Sequence, residues 1–193
     1  PYDVMNSEEA REMVKGNPYS FLHVDKSEID LPEGTDLYSQ QVYDKAKENF
    51  YRFIQEGTFI QDQENHLYVY RQIMDGRSQF GIVGCCSIED YNQNIIKKHE
   101  HTRKDKEEDR IRHVDNTNAN TGPIFLTYKS RATINQIVAE LVTAKPDYDF
   151  VAEDGITHTA WVIKDKNAMA TIIAEISKVD YLYIADGHHR AAS

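Results

Sequence analysis

The chain has 193 residues, 40% of them hydrophobic, and a formal net charge of −10. That is enough apolar material for a sizeable core, and it excludes global disorder. An acidic surface gains nothing from counterion release on DNA and is repelled by anionic lipid, and no run of about 18 apolar residues is present. Neither nucleic acid nor a membrane is therefore an expected partner.

In chain order, Asn6 to Glu9 reads as a capping box opening a short helix that Gly16, Asn17 and Pro18 end. Ser20–Val24 predicts a strand, and Pro32 to Gly34 a linker. Leu37, Val42, Ala46, Phe50, Phe53 and Ile54 recur at helical spacing until Gly57 stops them. Between His66 and Ser87 two strands flank Asp75-Gly76, a hairpin signal. The only cysteines, Cys85 and Cys86, are adjacent, a spacing that rarely satisfies disulfide geometry. They are expected to be free thiols of a reducing compartment, lying in the core. Ser87 to Asp90 opens another short helix.

Lys97–Asn120 is charge-dense, and its middle predicts a solvated helix with i,i+4 pairs such as Arg103 with Glu107 and Lys104 with Glu108. A strand at Ile124–Tyr128, an amphipathic helix around Ile134 to Leu141 and a strand at Tyr148–Ala152 follow. Asp154-Gly155 turns the chain into Thr159–Ile163, and Asp165 caps a helix through Met169, Ile172 and Ile176. A last strand, Tyr181–Ala185, runs into Asp186-Gly187-His188-His189-Arg190. Helices interleave with strands and hairpins, so the expected class is α/β (mixed α+β), with a mixed sheet and flanking helices. The chain opens without Met or a secretory leader and stops as a helix begins, as expected of a piece of a longer cytoplasmic protein.

Three stretches carry candidate chemistry. In Asp186–Arg190 a strand delivers an acid and a glycine to a tight turn. Gly187 lets a ligand approach the backbone, His188, His189 and Arg190 supply donors suited to phosphate, and Asp186 suits a magnesium ion. In His99-Glu100-His101-Thr102 a carboxylate lies between imidazoles, as a general base or a metal ligand would. The histidine spacing does not fit HExxH, and an extended chain would point Glu100 away from both neighbours, so spacing alone favours a solvated face. Asp115–Pro123 is an Asn-, Thr- and Gly-rich loop of a kind that binds phosphates or simply connects. His23, His66, His113 and His158 have no spaced partner and read as surface or satisfied core residues.

Taken together, Pro1–Val4 (PYDV), His99–Thr102 (HEHT), Gly122–Phe125 (GPIF) and Asp186–Arg190 (DGHHR) resemble the bacterial domain-of-unknown-function family 1015 over the whole chain. That family is similar in turn to ParB/sulfiredoxin-like folds, above all the free-serine kinases, with the narrower match from about residue 95 onward. The resemblance implies an N-terminal α/β segment over 1–93. A nucleotide-binding core over 94–193 would follow, with an insertion near 130–178. It also implies Glu100 as the catalytic carboxylate taking the serine hydroxyl proton, and Asp186 as a second catalytic and metal-holding residue. Gly187, His188, His189 and Arg190, with His99 and Thr102, would bind the nucleotide and its phosphates.

The expectation is thus a phosphotransferase using ATP or ADP with Mg²⁺, free serine as acceptor and a nucleotide and an amino acid as partners. Two rivals are a non-catalytic nucleotide-binding switch of ParB-like type and a metal-dependent hydrolase using His99, His101, His188 and His189.

Overall fold

The computed structural model describes residues 4–193, and of the PYDV opening Pro1 to Asp3 lie outside them. The described residues form an α/β fold of eight α-helices and two sheets. Packing divides the chain into two interleaved compact units. One gathers residues up to Gln61, His99–Phe125 and Ile184–Ser193; the other gathers Asp62–Lys98 and Leu126–Tyr183.

The first unit is mainly helical. Helix α1 (Ser7–Met13) starts at the expected capping box: Asn6 Oδ1 accepts from the Glu9 amide and Glu9 accepts from the Asn6 amide, both at 2.9 Å. The Ser20–Val24 segment is helical, not a strand: α2 (Leu22–Asp25) is closed by a local ladder, Val24 N–H to the Phe21 carbonyl and Lys26 N–H to that of Leu22. A short apolar run does not distinguish helix from strand. Here the turn that Asn17 and Ser20 start, accepting from the Tyr19 and Leu22 amides, decides it. A 3-10 turn follows at Ser27–Asp30. Helix α3 (Gln40–Gln55) buries Val42, Tyr43, Ala46, Asn49 and Phe53, one stripe at helical spacing. Phe53 joins Tyr19 and Phe59 in an aromatic cluster. Asn49 donates to the His23 carbonyl at 2.7 Å and to Asp30 at 2.8 Å, so this core is partly polar.

In the second unit, strands β1 (Leu67–Met74) and β2 (Arg77–Val83) form the expected hairpin, with Asp75 and Gly76 at φ +51° and +76°. Strands β5 (Tyr148–Val151) and β6 (Thr157–Ile163) form the second, and the antiparallel sheet runs β2-β1-β6-β5. Val69, Trp161, Ile163 and Ile172 make its core. Helices α6 (Ala132–Leu141) and α7 (Lys166–Ile176) cover it, α7 capped by Asp165 as predicted. Helix α4 (Ile88–Asn92) leads into the short strand β3 (Ile96–Lys97). Cys85 and Cys86 are free but exposed, contrary to the expected core position. They follow β2, an edge strand whose residues are nearly all exposed, so the core lies elsewhere. Partial desolvation of its sulfur, then the nearby Asp90 and Cys85, raises the Cys86 thiol pKa, which keeps it protonated although the residue as a whole is exposed.

A three-stranded sheet has the order β3-β7-β4, where β4 is Phe125–Thr127 and β7 is Leu182–Asp186; β3 and β7 are parallel.

Candidate active site

The DGHHR box lies where the sequence put it. β7 ends at Asp186, Gly187 turns the chain and α8 (His188–Ala192) begins. Gly187 is at φ +89°, and a Cβ there would come within 3.1 Å of both the Arg190 guanidinium and Ile124 Cγ2. Glycine is thus required twice, by the left-handed backbone and by the lack of room. Arg190 folds back over the turn and donates to the Pro123 carbonyl at 2.5 Å and to Asp186 Oδ2 at 2.6 Å. Asp186, the expected magnesium ligand, is here the acceptor of an exposed ion pair.

Glu100 reaches this turn. Its Oε1 lies 2.8 Å from His188 Nδ1; the imidazole is only 3% exposed, the carboxylate 56%. The chain bends at Glu100, so the alternation expected of an extended segment is broken and His99 swings to the same side. The His99 and His188 rings meet edge to face, 4.4 Å between centroids. His188 Nε2 is buried with no hydrogen-bond partner.

His189 and Thr102 brace the neighbouring helix α5 (Lys104–Thr117). His189 Nε2 accepts from the Arg103 amide at 3.1 Å, and Thr102 donates to Glu107 at 2.8 Å. Glu107 is therefore not the expected partner of Arg103, which pairs with Asp105 instead. Nor is α5 wholly solvated: His113 and Thr117 are buried on its inner face. Of the four histidines in the hydrolase reading, His99 and His188 converge, whereas His101 is exposed outside the cluster.

A second polar centre was not visible in the sequence. Asp25 accepts from Thr121 of the Asn/Thr/Gly loop at 2.7 Å, and His113 Nε2 donates to the Val24 carbonyl at 3.0 Å. Burial raises the Asp25 pKa, opposed by that hydrogen bond and by the charges of His113, Arg110 and Arg190. Burial likewise lowers the His113 pKa and keeps the imidazole neutral. Arg110, His113, Asn120, Thr121 and Arg190 line a small pocket here, joining the loop to the turn. The one legible sign was the loop's composition; Asp25 lies about a hundred residues away from it in sequence.

No helix among the described residues is long and apolar enough to cross a membrane. No curated protein and no solved structure matches the chain. The family described as protein of unknown function (DUF1015) matches it over residues 1–193, and the chain belongs to that family.

Proposed function

We propose that the protein is a nucleotide-dependent phosphotransferase that passes a phosphoryl group from ATP or ADP to the hydroxyl of free L-serine, giving O-phosphoserine. The observation that carries this reading is the 2.8 Å contact between Glu100 and His188, which joins the HEHT segment to the DGHHR turn. Serine as the acceptor rests on the resemblance of those two segments to the ParB/sulfiredoxin-like free-serine kinases.

In this reading the serine oxygen attacks the terminal phosphorus, the bridging P–O bond breaks, and the shortened nucleotide leaves. Glu100, held by His188 yet open to solvent, takes the hydroxyl proton. Arg190 exchanges Asp186 for a phosphate oxygen. The Asp186–Arg190 pair is a weak competitor, because an exposed ion pair contributes about 1 kcal/mol or less. The freed Asp186 would be the residue that holds the Mg²⁺ accompanying the nucleotide, whose charge would offset that of the phosphates. Phosphoryl transfer asks the protein mainly for positioning and charge neutralisation, which this set of groups supplies.

The test is purified protein with ATP or ADP, Mg²⁺ and serine, with O-phosphoserine as the readout. Turnover should fall by about 10²–10⁴ in Glu100→Gln, the usual contribution of a general base. Production no greater than in that variant refutes the reading.

A further inference from the structure

The donor set of the Glu100 cluster suits an ion other than magnesium. One nitrogen each of His99 and His188 and one Glu100 oxygen all lie within 4.8 Å of one another. Magnesium prefers an all-oxygen shell with several waters, whereas two imidazoles and a carboxylate match zinc and its neighbours in the first transition row. His188 also stands unsatisfied: its side chain is 3% exposed, Nδ1 is held by Glu100, and Nε2 is buried without a partner. Glu100 faces Nδ1, so that is the nitrogen His188 brings to an ion shared with Glu100; the orphaned Nε2, on the other side of the ring, marks the imidazole as incompletely paired.

We propose that His99, Glu100 and His188 form a binding site for one divalent transition-metal ion of the zinc type, with a fourth position open to solvent. Ligand atoms around a tetrahedral zinc ion stand about 3.3 Å apart, given bond lengths near 2.0–2.1 Å. The 4.8 Å spread must therefore contract by about 1.5 Å. The side chains of His99 and Glu100 are the ones to move, since both residues are exposed while His188 is buried. His189 takes no part, because its Nε2 already accepts from the Arg103 amide. A Glu100 that ligates this ion is not free to take a proton, so the metal-loaded site and the phosphotransferase reading are alternative states of one cluster, and binding is measured without nucleotide.

The experiment is titration of untagged, chelator-stripped protein with Co²⁺, followed by its visible d–d absorption, then displacement by Zn²⁺. The expected result is one saturating equivalent, with the band lost on adding zinc. His99→Ala and Glu100→Gln should each weaken binding by at least about tenfold, since even an outer-shell partner of a metal ligand is worth 10–100-fold. Both residues are exposed, so these variants should fold, as circular dichroism will check. Replacing Cys85 and Cys86 with Ser removes the exposed thiols as competing ligands and should leave the titration unchanged. Unsaturable binding, equal affinity in His99→Ala, or loss of the site in the double-Ser variant overturns the proposal.

Discussion

The two compact units are stabilised in different ways. The unit built on the β2-β1-β6-β5 sheet has an apolar centre of Val69, Trp161, Ile163 and Ile172, filled by side chains two residues apart on β6 and helical faces laid over them, with Thr159 on the same face of β6 buried and bonded to Arg71 and Asp149. The unit that carries the Glu100 cluster has aromatic packing around Phe53. It also buries Asn49, His113, Thr117 and His188, each with at least one specific polar partner. Apolar burial is non-directional and tolerates rough fit, whereas a buried polar group costs free energy unless its partner is in place. The unit that carries the Glu100 cluster therefore leans more heavily on individual hydrogen bonds, and through His113 on pH.

The contrast can be broken most forcefully at Trp161, the chain's single tryptophan. Trp161→Ala should cost about 3–5 kcal/mol, the range for deleting a large buried side chain, and hydrogen exchange should speed up in β1 and β6. In the other unit Asn49→Ala leaves the His23 carbonyl without its donor and Asp30 with His23 Nδ1 alone, and should cost about 1–3 kcal/mol, seen in denaturant melts. Gly187→Ala should follow at about 1–2 kcal/mol, from forcing a left-handed φ on an L-residue, with the clash against Ile124 added.

A pH titration sharpens the comparison further. His113 is held neutral, so stability is full above its ordinary pKa of 6.5 and is lost as pH falls below that, while the unfolded chain takes up the proton first. The protection of amides in α3 and α5, corrected for the intrinsic exchange rate, should therefore fall as pH drops below 6.5, while the fluorescence of Trp161 stays constant. His113→Gln should flatten the response in that window. The smallest expected effect is Glu100→Gln on stability, within about 0.5 kcal/mol, since the carboxylate is exposed and an amide oxygen still accepts from His188. A large destabilisation there would make lost turnover uninterpretable as chemistry.

Legibility in the sequence followed the range of the forces involved. The Asn6–Glu9 capping box, the Asp75-Gly76 turn, the Asp165 cap and the entry of β7 into Gly187 all appear as read. Each is decided by atoms within a few residues. Ser20–Val24 reads as a strand because its apolar run fits either period, but the turn started by Asn17 and Ser20 tips it to helix. The cysteines were placed in a core because the hairpin's position at the sheet edge is not written in the hairpin itself.

For the candidate site the division is the same. The identities of His99, Glu100 and His188, and the requirement for glycine at 187, were set by the sequence alone, through side-chain chemistry and backbone sterics. That Glu100 meets His188 rather than solvent, that Asp25 lies beside Thr121, and that the compact units interleave along the chain were decided only by tertiary structure. The physical reason is that these contacts close loops of about ninety residues. No local propensity selects such closures; their entropic cost is offset only by the packing of the strands and helices between them.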